Sequence, residues 1–253
     1  MSDKLKKLAR KVYGYHNLGS GVFPEGEEKT PYGSGERYNF DRMYMMVSNY
    51  DFTRKHVLDL GCNSGWFAVQ AKLLGADRVV GIDYAKTGLM GEAIKYAQAF
   101  EDRYKLGISF LDRDLESIDF VKLAAKSDVD RFHTAFLLSV LHHIQDKKRL
   151  VSSLYDATSE VIFYEDHEFW NDLTDARGEP IAVKGDGYRY GWNEDMSWQR
   201  KIGSLESYEP KILGHYRSTW RNDVLLLDRF AEVRFLGFSE KRRPMLALIK
   251  GKA

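Results

Sequence analysis

The sequence has little of several features that would place a protein in a specialised class. Among its 253 residues there is one cysteine, Cys62, so no disulfide can form within the chain. No apolar run approaches the roughly 20 residues that a membrane-spanning helix needs, and the basic opening MSDKLKKLARKVYGY has no apolar core of a signal peptide. The formal net charge is only +1, so no overall field would attract nucleic acid or an anionic membrane. We therefore expect a soluble, cytoplasmic protein that does not bind membranes.

What the sequence does contain is an alternation of buried strands and helices that begins at His56. Strands such as HVLDLG, RVVGIDY and EVIFYED are separated by helical stretches, which is typical of βαβ units and of a parallel sheet covered on both faces. Near the end, EVRFLGFSE and MLALIKG are joined by the short turn KRRP, so these two strands must be antiparallel. The pattern predicts an α/β fold with a doubly wound, mostly parallel, seven-stranded sheet that ends in an antiparallel hairpin.

We predict a single domain over residues 1–253 with two irregular segments. Residues 1–54 contain a stretch rich in glycine, proline and charge, and are predicted to form an N-terminal cap or lid. Residues 166–217 have many aromatic side chains but little periodicity, and a segment this long without clear elements is usually functional, so we interpret it as an inserted lid. A helix is predicted next, in STWRNDVLLLDRFA, with Ser218 or Thr219 as its N-cap.

Two acids lie within or at the end of otherwise apolar strands. Asp59 stands two residues before Gly61 in LDLGCNSGW, and Asp83 ends the second strand 18 residues after Gly65. Open α/β sheets bind ligands at the carboxyl ends of their strands, where an acid after the second strand can bind ribose hydroxyls. The dinucleotide motif G-x-G-x-x-G is absent, and Asp59 would repel a pyrophosphate but would suit a cation. These residues imply a nucleoside cofactor with a positive end and no phosphate.

The stretch VLDLGCNSG followed by VVGIDYA resembles the cofactor motifs of class I S-adenosylmethionine-dependent methyltransferases, over about residues 55–165, and the C-terminal hairpin fits their fold. The usual pattern is acid-x-G-x-G-x-G, and here Asn63 replaces the middle glycine, which asparagine can do because it tolerates positive φ. The resemblance implies S-adenosyl-L-methionine as cofactor, with Asp59 supporting the turn and facing the methionine amino group, and Asp83 holding the ribose. The cofactor-binding residues that it implies are Asp59, Gly61, Asn63, Gly65, Asp83, Tyr84, Asp114 (with Asp112 as the alternative), Leu115 and Ser139.

The segments after the fourth and fifth predicted strands supply the candidates for the acceptor side. In VLHHIQD, His142 and His143 are the candidate catalytic residues, because a general base is needed when an acceptor must lose a proton. Lids exclude water and set specificity, so the aromatic parts of the two irregular segments add further candidates. The candidate substrate-binding residues are Glu165, His167, Tyr15 and Trp192.

No metal site is predicted, although imidazole and carboxylate groups suit divalent metals. Nothing in the sequence fixes their spacing as it is fixed in a zinc motif, so a polar rim is the better interpretation. The residues concerned are His142, His143, Glu165, Asp166, His167 and Glu168.

Several of the other candidates also have ordinary structural explanations. Asp83 could cap a helix, Asp112 and Asp114 could be solvated loop acids, and His143 could serve packing alone. Cys62 has no C-x-x-C partner and is better explained as a small packed residue than as a nucleophile.

The leading hypothesis is O- or N-methylation of a small molecule by in-line methyl transfer, because the charge is near neutral and the lid is aromatic. The alternative is an enzyme that methylates or carboxymethylates tRNA or another RNA. GADRVVGIDYAKTGL and SVLHHIQDKKRLVSSL resemble the tRNA wobble-uridine carboxymethyltransferase group, and Arg189, Arg200 and Lys201 lie among aromatic residues that could stack on bases. A further alternative is a non-catalytic, cofactor-binding partner subunit. A dehydrogenase is disfavoured by the absent G-x-G-x-x-G motif.

Overall fold

The computed structural model describes residues 42–84, 93–167, 205–239 and 243–251. A helical segment at 42–47 comes first. The strands that follow are β1 (His56–Leu60), β2 (Arg78–Asp83), β3 (Ile108–Asp112), β4 (Phe132–Leu138), β5 (Thr158–Glu165), β6 (Glu232–Phe238) and β7 (Pro244–Ile249). The helices are α1 (Trp66–Leu73), α2 (Ala93–Tyr104), α3 (Phe120–Lys126), α4 (Lys147–Ala157), α5 (Leu205–Ser218) and α6 (Trp220–Leu225). Short 3₁₀ turns lie at Leu115–Ser117, Leu141–His143 and Leu227–Arg229.

The strands form a seven-stranded sheet in the order β3-β2-β1-β4-β5-β7-β6. The first five strands pair in parallel, whereas β7 runs antiparallel to both β5 and β6. This arrangement confirms the predicted doubly wound sheet with a C-terminal antiparallel hairpin. Since β1 pairs with both β2 and β4, the strand order reverses between β1 and β4, and a crevice opens at the carboxyl ends of these strands.

Both faces of the sheet are packed against apolar side chains. Alternate residues of β1 belong to different clusters: Leu58 and Leu60 to one, and Val57 to the other. The helices that cover the sheet begin at side-chain caps, because Asp119 accepts a hydrogen bond from the Lys122 amide and Asp146 from the Arg149 amide. These caps fix where α3 and α4 start relative to the neighbouring strand ends.

The segment at residues 166–217 was predicted from the sequence to be irregular. Its last part is instead helical, because most of α5 lies there. The helix contains Pro210 and Gly214, two residues that disfavour a helix interior and hide its periodicity. Ile212 and Tyr216, four positions apart on one face, are fully buried and hold the helix against the sheet. Thr219, one of the two predicted N-caps, is the N-cap residue of α6, although its side chain makes no capping hydrogen bond.

In the portion of the chain that the structure describes, no helix has the length and apolar character that crossing a membrane requires.

Candidate active site

A cavity of about 670 Å³ lies at the carboxyl ends of β1, β2 and β4, where the strand order reverses. Its volume is within the range of about 300–1,000 Å³ that small-molecule and cofactor sites have. The structure brings most of the residues predicted from the sequence to its wall. Those that line it are Asp59, Gly61, Asn63, Asp83, Tyr84, Asp114, Leu115, Ser139, His142, His143 and His167.

The floor of the cavity is the turn between β1 and α1, in which several residues have a left-handed backbone conformation. Gly61, Asn63 and Gly65 have φ values of 64°, 52° and 82°, so asparagine does adopt the conformation that was expected at the middle position. A Cβ atom on Gly61 would overlap the side chain of Val140. A Cβ atom on Gly65 would lie 2.5 Å from the Phe110 ring. Gly65 does not line the cavity, and its small size serves the packing of α1 against β3.

Asp59 is a buried carboxyl group that joins β1 to α1. It is 2% exposed, and it accepts a hydrogen bond of 3.1 Å from the amide of Ala68. Burial raises the pKa of Asp59 to about 8, because the charged form loses its hydration. The carboxyl group is therefore largely protonated at neutral pH until a positive group approaches it.

Asp83 ends β2 at the opposite side of the same turn. One carboxylate oxygen accepts a hydrogen bond of 2.6 Å from the Asn63 amide, and the other accepts one of 2.7 Å from the Tyr84 amide. Burial raises the pKa of Asp83, and these two hydrogen bonds oppose the shift. The carboxylate thereby holds the glycine turn and the end of β2 together at the cavity wall.

Two candidates for an adenine-contacting acid differ in their placement. Asp114 lines the cavity and caps the following turn, because it accepts a hydrogen bond of 2.9 Å from the Glu116 amide. Asp112 is the strand-register partner of Asp83, is exposed, and does not line the cavity. Of the two acids, Asp114 is therefore the one that lies on the cavity wall.

Two arginines that the sequence analysis did not single out also line the cavity, Arg42 and Arg243. The Arg42 guanidinium donates to Glu165 at 3.1 Å and lies 4.6 Å from the centre of the Phe67 ring. The Arg243 guanidinium donates to the Ser139 hydroxyl at 2.9 Å. A run of three cations, KRR, contains Arg243, and nothing local distinguishes it from its two neighbours. Arg42 is a lone cation just before a run of methionines that are buried in the structure, which is a weak indication that its side chain lies next to the core.

Glu165 was predicted to contact the substrate, and the structure does not bring it to the cavity wall. It is 1% exposed and accepts hydrogen bonds from the Ser139 hydroxyl and from Arg42. Its carboxylate therefore lies behind Ser139 and links the two arginines. Tyr15 and Trp192, the other substrate candidates, lie outside the described residues.

Three histidine rings form a stack at the end of the cavity near β4 and β5. The ring centres of His142 and His167 are 3.7 Å apart and the rings are inclined by 18°, and the His143 ring lies 3.8 Å from that of His142 at an angle of 41°. Burial lowers the pKa of His142 to about 4, and the neighbouring histidines and Arg243 add to this effect. His142 is therefore neutral at neutral pH.

The described acid after β5, Asp166, is engaged with other side chains of the protein. Asp166 is 2% exposed and accepts hydrogen bonds from Arg221 at 2.5 Å and from Tyr216 at 3.1 Å, so it is engaged with α5 and α6. Within the described ranges there is no group of three or more His, Cys, Asp or Glu side chains that could hold a metal ion. Glu168 lies outside those ranges. Burial raises the pKa of the Cys62 thiol, which keeps it neutral although it lines the cavity.

Comparison with known proteins gives the family. A model of the methyltransferase domain family matches residues 33–182, which is more than half of the 253-residue chain. The chain therefore belongs to this family. Its sheet order and C-terminal antiparallel hairpin make it a class I methyltransferase, an enzyme class that uses S-adenosylmethionine as cofactor.

Solved structures share the fold at low sequence identity. A magnesium protoporphyrin IX methyltransferase from Synechocystis PCC 6803, solved with bound SAH, is 13% identical, with a TM-score of 0.50 over 98% of this chain and 95% of that one. The bifunctional kinase-methyltransferase WbdD is 21% identical, with a TM-score of 0.50 over 96% of this chain and 45% of that one.

One curated relative is an uncharacterised protein of Methanocaldococcus jannaschii, 31% identical over 101 residues. The match covers 40% of this chain and 37% of the relative. The chain thus matches less than two fifths of that relative's length, and the relative supports no statement about a substrate.

Proposed function

We propose that the chain transfers the methyl group of S-adenosylmethionine to an oxygen or nitrogen atom of a small-molecule acceptor. The observation that carries the proposal is that two acids, Asp59 and Asp83, lie on the wall of one cavity, beside a turn with left-handed backbone conformations. When bound, S-adenosylmethionine supplies a methyl group that its sulfonium already activates. The work of the protein is then to hold the cofactor and to align the acceptor with it.

The chemistry of the cavity fits this cofactor. A carboxyl group as buried as Asp59 gains from a cationic neighbour, which the amino group of the methionine moiety provides. Arg42 lies close enough to Asp59 to lower its pKa. The methionine moiety of the cofactor also has a carboxylate beside its amino group, and Arg42 would pair with that carboxylate. Each oxygen of Asp83 accepts one amide hydrogen bond and has a further lone pair for a ribose hydroxyl. Tyr84, Leu115 and Asp114 are then the wall for the adenine.

On the acceptor side, His142 is the residue that we propose as proton acceptor or substrate contact. Its Nδ1 atom is buried and has no hydrogen-bond partner among the described residues. A neutral imidazole nitrogen can accept a hydrogen bond from a hydroxyl or amine group of the acceptor, and with a pKa of about 4 it is a weak base, which favours the contact role over proton removal at neutral pH. The rings of His143 and His167 both pack against the His142 ring and restrict its movement.

A small acceptor is supported by the volume of the cavity and by the net charge of +1, which gives no general attraction for a polyanion. A cytoplasmic location is supported by the single cysteine, which cannot form a disulfide within the chain, because proteins of reducing compartments contain few disulfides.

Calorimetric titration of the full chain with S-adenosylmethionine and with S-adenosylhomocysteine (SAH), and with NADH as control ligand, tests the proposal. We expect Asp83→Ala to weaken SAH binding by about 1–3 kcal/mol, roughly 5- to 150-fold in Kd, because one hydrogen-bonded charged partner is lost. Asp112→Ala is the matched control, since this acid has the same register in the next strand. We expect His142→Gln to keep the SAH affinity and to slow SAH formation with a panel of hydroxyl and amine acceptors.

Equal SAH affinity in the wild type and Asp83→Ala would remove Asp83 from the cofactor site. Binding of NADH instead of SAH would contradict the cofactor itself. If SAH binds but no acceptor in the panel is methylated, the non-catalytic partner subunit becomes the better explanation.

A further inference from the structure

The cavity wall carries two acids at β1 and β2 and an arginine beside the histidine stack. The carboxyl groups of Asp59 and Asp83 lie at the ends of β1 and β2. The guanidinium of Arg243 lies at the start of β7, two strands beyond β4 in the sheet. The two acids suit a cationic cofactor with hydroxyl groups. Arg243 lies near His142 of the histidine stack, another ring of which, His143, acts electrostatically on Asp83. The guanidinium suits an anionic ligand.

Arg243 is held at the wall by a chain of hydrogen bonds. Its Nη1 atom donates to the Ser139 hydroxyl at 2.9 Å, and that hydroxyl donates to the buried Glu165. Ser139 has a left-handed φ of 54°, and its amide donates to the carbonyl of Glu165 at 3.1 Å. A serine in this conformation is kept there by its surroundings. The guanidinium is thus fixed at a defined place on the wall, and its planar fork matches a carboxylate or phosphate group.

Arg243 brings a positive charge to this part of the cavity wall, whereas the neighbouring His142 is neutral at neutral pH. The charge of Arg243 acts on His142, whose pKa is about 4. His142 and His167 present stacked rings on the same wall. A ligand held by Arg243 would therefore meet a fixed positive charge beside the neutral ring of His142.

The other arginine is placed for a different task. Arg42 acts electrostatically on Asp59 and lies over the Phe67 ring at 4.6 Å, so it belongs to the end of the cavity where the cofactor's amino acid part is proposed to lie. Because Arg42 acts on Asp59 and Arg243 acts on His142, the carboxylate of the cofactor is assigned to Arg42 and the acceptor to Arg243, although the two arginines are joined through Ser139 and Glu165.

We propose that the acceptor carries a carboxylate or phosphate group, which Arg243 binds while the histidine stack forms the wall beside it. This inference rests on the proposed methyltransferase function and narrows its acceptor to small anions. Arg243 is then a specificity-determining residue, positioned by Ser139 and Glu165.

The test is calorimetric titration of the full chain, saturated with SAH, with inorganic phosphate and with acetate at constant ionic strength. We expect saturable binding of at least one of these anions, and roughly a tenfold or larger loss of affinity in Arg243→Gln, because a charged hydrogen-bond donor is removed. Arg243→Lys keeps the charge and should retain part of the affinity. Arg234→Gln is the control, since Arg234 pairs with Glu232 on β6 and does not line the cavity.

The same variants titrated with SAH and with methylthioadenosine, which lacks the amino acid part, separate the two possible sources of the anion. Unchanged affinity for both ligands in Arg243→Gln supports the acceptor site. A loss for SAH but not for methylthioadenosine would assign Arg243 to the cofactor carboxylate and overturn the inference. The inference would also be overturned if Arg243→Gln bound phosphate and acetate as tightly as the wild type does. Absence of anion binding in the wild type would overturn it as well. Failure of the wild type to bind SAH would instead overturn the proposed function, and the inference with it.

Discussion

At the scale of single residues, the Asp59 carboxyl group is buried like a core side chain and yet has a pKa near neutral pH, as groups in functional sites often have. Asparagine at this position can still accept the hydrogen bond from the Ala68 amide, but it cannot ionise. The Asp59→Asn variant therefore separates the structural role of the side chain from its charge.

The charge of Asp59 should appear in the pH dependence of stability. In the unfolded chain its carboxyl group loses its proton near pH 4, whereas in the folded chain the pKa is about 8. The folded state binds more protons between these values, so the free energy of unfolding falls as pH rises through this window. We expect Asp59→Asn to lack this fall and to gain stability relative to wild type as pH rises from about 4 to about 8. Urea denaturation of both proteins across the window measures the difference, and parallel curves would contradict it.

At the scale of elements, the turn between β1 and α1 depends on the small size of Gly65. Alanine there would combine a φ of 82° with a Cβ atom 2.5 Å from the Phe110 ring. We expect Gly65→Ala to lower the free energy of unfolding by about 1–3 kcal/mol, measured by chemical denaturation. Gly214→Ala is the matched control, because this glycine is exposed within α5 and a Cβ atom there meets nothing within 4 Å. That control should raise stability by up to about 1 kcal/mol. Similar losses in both variants would show that strain at Gly65 is not the cause.

The parts of the site that could be predicted from the sequence are those that neighbouring residues encode. Asp59, Asn63 and Asp83 belong to one strand–turn–helix–strand unit, in which the spacing itself fixes where each side chain lies. Arg42 and Arg243 reach the cavity from before β1 and from the last hairpin. Their arrival depends on the packing of distant segments, which no local pattern records.

At the scale of the whole molecule, the directions of the strands could be predicted, because helices between strands favour parallel pairing and a short turn demands antiparallel pairing. The helix α5 could not, because Pro210 and Gly214 mask its periodicity and its stability comes from tertiary contacts. Those contacts include the Tyr216 hydroxyl, which donates to Asp166 at the end of β5. The two C-terminal helices are thus tied to the sheet through Asp166, which was interpreted from the sequence as part of a polar rim.

The buried pair of Asp166 and Arg221 carries a prediction about the stability of the whole chain. Their side chains are 3% and 1% exposed and lie 2.5 Å apart. Arg221→Met leaves the carboxylate of Asp166 buried without its guanidinium partner, so we expect a loss of about 3–5 kcal/mol in the free energy of unfolding. Arg229→Met breaks the largely exposed pair with Asp156 and should cost at most about 1 kcal/mol.

Replacing both buried partners, as Arg221→Met with Asp166→Leu, distinguishes the cost of an uncompensated charge from the cost of lost packing. If the uncompensated carboxylate is the cause, the double variant should recover most of the loss, because neither ion then requires desolvation. A double variant no more stable than Arg221→Met would mean that the arginine acts through its packing against Trp220 and Tyr216. In either case SAH binding should survive in the variants that fold, since neither Asp166 nor Arg221 lines the cavity.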